Sequence, residues 1–193
     1  MNTFWILKGT HRAFPPTVAT LTPKPNTDII VNEIYDMRKM AYNLKTEDQL
    51  DWCKLSGFSQ NFVDRHENTI MVGFRYLPES DEFEYNYYSH IDGKVDYTEP
   101  IVRMKRTEFV PLRYRLTKMN EGVEIIATIA GSGLFSSIVI PSSKVWFIDT
   151  WFGGNRSAPK SLSFRRSRTI DRSPYKMADI NENIEPGQDY EVV

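Results

Sequence analysis

From Thr69 onward the chain alternates with a period of two. Ile70, Val72, Phe74 and Tyr76 fall on one face and Met71, Gly73 and Arg75 on the other, which is the spacing of a half-buried strand. After a turn at Pro78 to Asp81 the alternation resumes, setting Phe83, Tyr85, Tyr87, Ser89 and Ile91 against Glu84, Asn86, Tyr88 and His90. Asp92-Gly93 predicts a tight type I′ hairpin, whose central positions both need positive φ, with Val95 to Val102 returning antiparallel. Val110, Leu112, Tyr114 and Leu116, with Arg113 and Arg115 turned away, read as a further strand. Asn120-Glu121-Gly122 then turns it into Val123, Ile125, Ala127 and Ile129. Val145, Phe147, Asp149 and Trp151 alternate with Trp146 and Ile148, so both faces are bulky and a central place in a sheet is expected.

Ile29 to Ile34 also reads as a strand. Thr46 to Leu55 carries the one helix signal, Thr46 as N-cap with Gln49 three residues on, ended by Gly57. Trp151 to Pro159 places glycines at 153 and 154 between the runs Val145–Thr150 and Ser161–Arg165, and is expected as a β–turn–β unit that closes a sheet. Many short strands with turn signals between them define an all-β, two-sheet antiparallel sandwich with one short helix and extended termini. Pro15, Pro16, Pro23 and Pro25 mark residues 1–28 as an extended N-terminal arm. The sandwich domain is expected over 29–168. Residues 169–193 are expected as an acidic C-terminal tail, in which Asp179, Glu182, Glu185, Asp189 and Glu191 meet no base.

Composition adjusts this picture little. The 193 residues suit one domain, and 11 Phe, 10 Tyr and 4 Trp suit strands. A net charge of -1 argues against sequence-specific nucleic-acid binding driven by overall charge. Cys53 is the one cysteine, which excludes an internal disulfide, and a buried thiol is expected. Lys8 interrupts the first apolar run and no stretch has the length of a membrane span, so synthesis in the cytoplasm and no membrane partner are expected.

Candidate chemistry is sparse. His11, His66 and His90 have no metal-binding spacing, so no metal and no cofactor are expected. No nucleophile elbow, phosphate-cradling glycine loop or Cys–His pairing occurs, and no catalytic residue is assigned. Aromatic rings beside amides are the usual grip on sugars, since a flat apolar ring stacks on the C–H face of a pyranose. Trp151, Asn155, Tyr87 and Arg75 are the candidate glycan contacts, set against core packing for the aromatics. Arg165, Arg166 and Arg168, with Arg103, Lys105 and Arg106, offer a basic patch for an acidic partner or for phosphates, set against an ordinary solvated face.

Three blocks carry a resemblance. They are Asp51-Trp52-Cys53-Lys54-Leu55-Ser56-Gly57-Phe58-Ser59, His66-Glu67-Asn68-Thr69-Ile70-Met71-Val72-Gly73-Phe74-Arg75, and Trp151-Phe152-Gly153-Gly154-Asn155-Arg156-Ser157-Ala158-Pro159. Together they resemble a pattern in uncharacterised proteins of gut Bacteroidetes and their crAss-like phages. The resemblance implies a lectin- or glucanase-like jelly roll of the concanavalin type. Trp151 stands where that pattern has Tyr, and Lys160 where it has His, so any role of that His is absent here. The motifs of jelly-roll polysaccharide lyases are not visible, and no enzymatic activity is expected.

The resemblance and the two termini lead to a first expectation: a non-catalytic structural subunit of a tailed-phage particle, in capsid, tail or fibre. Its partners would be other virion proteins or copies of itself, through the N-terminal arm and the C-terminal tail. The alternative is a carbohydrate-binding module of the cell envelope or a secreted one, acting on bacterial or dietary polysaccharide; the two readings are compatible. A polysaccharide lyase is the weaker alternative.

Overall fold

The computed structural model describes residues 1–45, 49, 51–63, 67–129, 131–153 and 156–174, and the regular elements among them are all β-strands. The first sheet has seven strands in the order β12 (Phe135–Ile140), β11 (Val123–Ile129), β10 (Phe109–Lys118), β4 (Thr27–Asp36), β14 (Leu162–Pro174), β1 (Asn2–Ile6) and β2 (Ala13–Phe14). The second runs β3 (Thr20–Leu21), β13 (Val145–Ile148), β5 (Cys53–Ser59), β6 (Thr69–Leu77), β7 (Glu82–Ile91) and β8 (Lys94–Tyr97), with β9 (Val102–Lys105) also paired to β7. Neighbouring strands are antiparallel, and the chain passes repeatedly from one sheet to the other. This is a two-sheet antiparallel jelly-roll sandwich.

Alternation builds the core. Ile29, Val31 and Tyr35 of β4 and Val110, Leu112, Tyr114 and Leu116 of β10 turn inward from the first sheet. They meet Phe58, Ile70, Val72, Phe74, Phe83 and Tyr85 of the second. Phe58 lies edge-on to Tyr114 at 5.1 Å and against Phe147 at 4.6 Å, ring contacts that add to burial. The expected hairpin forms at Asp92 and Gly93, with φ of 50° and 75°.

Several boundaries differ from the sequence reading. No helix occurs among the described residues, and Cys53 to Leu55, expected at its end, open β5. Gln49, expected in the capping box, is buried instead. Its Oε1 accepts the Tyr42 hydroxyl at 2.6 Å, and its Nε2 donates to the Tyr76 carbonyl at 2.9 Å. Its amide is thus engaged by tertiary partners. Thr46 itself lies outside the described residues.

The N-terminal 28 residues are not a free arm, since β1 pairs with β14 from Asn2↔Arg166 to Ile6↔Leu162 and β3 pairs with β13. β14 runs six residues past the expected boundary at 168, to Pro174 opposite Thr27. The stretch from Trp151 to Pro159 does not close one sheet; it carries the chain from β13 in the second sheet to β14 in the first. β13 sits one place in from the edge, flanked by the two-residue β3.

Candidate functional site

Residues directly opposite in an antiparallel pair share a face, so the register of the second sheet fixes what its outer face presents. One row across that face is Ile148, Gly57, Met71, Tyr88 and Tyr97. The next is Lys54, Gly73 and Asn86, extended past β5 by Trp151, whose N–H and C=O bond both ways with Lys54 at 2.8 Å. A third holds Arg75, Glu84 and Arg103.

Rings and ions interlock along these rows. The Arg75 guanidinium lies 4.0 Å over the Trp52 ring, a cation–π contact, and its Nη2 reaches Glu84 at 2.8 Å. Arg103 holds the other oxygen of Glu84 at 3.3 Å. Lys54 Nζ donates to Asp51 at 3.1 Å and stands 4.5 Å over the Tyr88 ring. Tyr88 faces Tyr97 at 6.4 Å with ring planes 11° apart. Burial, then the charge of Asp51, pushes the Tyr88 hydroxyl up to about 12, so it remains a neutral hydrogen-bond group.

Gly73 is required by close approach: a Cβ there would lie 2.2 Å from Asn86 Oδ1 and 3.3 Å from Trp52 Cβ. The missing side chain lets the Asn86 amide and Trp52 settle over β6. Asn86 Nδ2 donates to the Thr98 carbonyl at 3.2 Å, while its buried Oδ1 accepts no hydrogen bond among the described residues. Of this face, Tyr97 is the most open ring, at 58% exposure.

The sequence-predicted residues separate. Trp151 and Arg75 both reach this outer face, with β5 and its Lys54 between them. Trp151 stacks on His11 at 5.3 Å and under Arg12 at 5.4 Å. Tyr87 points the other way, into the sandwich, where its hydroxyl donates to the Leu134 carbonyl at 2.7 Å and accepts the Ile129 N–H at 3.1 Å. Tyr87 is therefore a core residue. Asn155 lies outside the described residues, as does His66. Gly153 has φ of +52°, and a Cβ would meet the Arg156 carbonyl oxygen at 2.7 Å, so it serves the chain's own turn.

The basic trio is divided by the same alternation. Arg165 points outward onto Asp36, with Nε at 2.9 Å. Arg166 and Arg168 point inward. Arg166 Nη1 meets Asp149 at 3.3 Å and its guanidinium lies 4.4 Å over Phe4; Arg168 Nε donates to the buried Glu33 at 2.6 Å and its guanidinium lies 3.9 Å over Phe147. These two are spent on the interior. Trp52, Lys54, Glu84 and Tyr97 were missed in the sequence reading because Trp52 and Lys54 fell in the expected helix and the strand through Tyr97 showed no clear alternation.

The strand order and register define the class, a jelly-roll sandwich with an aromatic and charged outer face. No known family profile matches the chain, and no curated protein matches it. Among solved structures it is similar to a functionally unknown protein from Saccharomyces cerevisiae (9% identity, 88% of this chain and 87% of that one, TM-score 0.47). It is also similar to a polysaccharide lyase of family 18 (11% identity, 89% and 95%, TM-score 0.44). A third is a toad ovary galectin in complex with thio-digalactose (14% identity, 81% and 99%, TM-score 0.37).

Proposed function

We propose that the protein is a non-catalytic carbohydrate-binding module that holds its ligand across the outer face of the second sheet. The observation that carries this reading is the near-parallel pair Tyr88 and Tyr97, with Tyr97 open to solvent, Lys54 held on Asp51 over Tyr88, and Arg75 held on Glu84 two rows further along the same face. A ring that stacks on a sugar face needs polar neighbours held in place to take the hydroxyls. Asp51 and Glu84 are engaged by cations, which suits them to positioning and not to proton transfer. A panel of bacterial and plant polysaccharides, tested by affinity electrophoresis and calorimetry, should contain one bound saturably and left uncleaved. Tyr97→Ala should weaken that binding about tenfold, the loss of one stacked ring, with the melting temperature kept. Cleavage of a bound polymer, binding unchanged in Tyr97→Ala, or no binding to any polymer would each overturn the reading.

A structural role in a tailed-phage particle is a compatible proposal and rests on the resemblance in the three sequence blocks. In the fold, β1 to β3 of the N-terminal 28 residues are built into the two sheets.

A further inference from the structure

The opposite side of the sandwich holds a concavity, on the outer face of the first sheet. There β1, β14 and β4 lie side by side, and the register sets Thr3, Arg165 and Asp36 in one row with Trp5 and Ser163 in the next row along. After β4 the chain turns at Met37 to Met40, closed by a 2.8 Å hydrogen bond, and the Lys39 carbonyl accepts the Ser163 N–H. The turn raises a wall. Beside it lies an open hollow of about 560 Å³, lined by Thr3, Trp5, Asp36, Arg38, Lys39 and Arg165 among others, a volume suited to one or two sugar rings.

Its charge is unbalanced. Asp36 accepts Arg38 through Nε at 2.9 Å and Nη2 at 2.7 Å, and takes Arg165 on one of the same oxygens. That single carboxylate aims two guanidiniums, each still about half exposed (47% and 48%). With Lys39, three cations surround one anion, an excess of two positive charges in one hollow. Neither Nη1 group makes a hydrogen bond among the described residues. Beside them Trp5 is 47% exposed, and its cross-strand neighbour Phe14 is more open still. Trp5 and Phe14 thus set an exposed aromatic pair beside the fixed cations.

We propose that this hollow binds an anionic saccharide, its pyranose face laid on Trp5 and its carboxylate or sulfate held by Arg38, Arg165 and Lys39. A neutral sugar leaves the two excess charges unanswered, and a bare anion leaves Trp5 unused. The site stands apart from the Tyr88–Tyr97 face, so the two readings succeed or fail separately.

Calorimetric titration of the full chain with trigalacturonate, with a sulfated carrageenan disaccharide and with neutral lactose tests it, at 20 and 300 mM NaCl. At least one anionic probe should bind, at least tenfold more tightly than lactose, and the higher salt should weaken it several-fold. Which anionic probe binds separates carboxylate from sulfate. Trp5→Ala and Lys39→Glu should each weaken that binding tenfold or more, while Tyr97→Ala leaves it unchanged. Lys39→Glu changes an exposed side chain, so it decides the matter even if Trp5→Ala loses stability. The proposal is overturned if neither anion binds, if lactose binds equally well, if Lys39→Glu binds like the parent, or if Tyr97→Ala removes the binding.

Discussion

Asp36 closes both Arg38 and Arg165 onto one carboxylate at the edge of β4, and these contacts hold its acid well below the ordinary value of 3.8, the Arg38 hydrogen bond first among the causes. A carboxylate whose folded value is depressed stabilises the fold above its unfolded value and loses that contribution as pH falls through the folded one. The stability difference between the parent and Asp36→Asn should be about 2 kcal/mol at neutral pH, the scale of a charged hydrogen bond. Urea unfolding from pH 7 to pH 2 should show the difference shrinking below 3.8; a constant gap would mean that packing, and not charge, sets it. Glu33 is a second carboxylate held by arginine. It is buried between the sheets, yet it meets Arg168 Nε, the Ser56 hydroxyl and the Tyr35 hydroxyl, so the buried charge is paired and hydrogen-bonded.

At the scale of the element, β14 joins the two ends of the fold. Leu162 to Arg166 pair with β1, and Arg165 to Pro174 pair with β4, so this one strand ties the N-terminus to the centre of the first sheet. Its inward residues Leu162, Phe164, Arg166 and Arg168 include stacking of Phe164 on Phe4 at 5.3 Å. A chain ended after Arg168 removes the pairs from Thr169↔Asn32 to Pro174↔Thr27 and bares that half of β4. It should melt several degrees below a chain ended after Pro174, as differential scanning calorimetry of the two would show. Equal melting temperatures would mean that those six residues add nothing to the sheet.

For the whole molecule, the sandwich turns one aromatic and charged face outward on each side, Tyr88 and Tyr97 on the second sheet and Trp5 with its cations on the first. If the chain is a virion building block, sedimented particles should contain it in fixed ratio to capsid or tail proteins by mass spectrometry. Its absence from the pellet would leave the glycan-binding reading alone. The strand of Ile70 to Tyr76, its partner through Phe83 to Tyr87, the Asp92-Gly93 turn and the pair Val110–Leu116 and Val123–Ile129 were legible because a period of two and turn residues are local signals. They determined an all-β sandwich. What only the tertiary structure decided was which face of each strand points where and which distant segments pair. Tyr87 and Tyr88 are adjacent in sequence, yet one is core and the other lies on the candidate site. Alternation set Tyr87 with Phe83 and Tyr85 and set Tyr88 with Glu84 and Asn86, yet nearly every residue of β6 and β7 is buried on either face, so exposure could not be read from that pattern. The arginines of β14 read as a surface patch, because nothing local reveals that Glu33, 135 residues away, waits opposite Arg168. Pairing across such separations is set by the closing of the sheets, and no short window of the chain contains it.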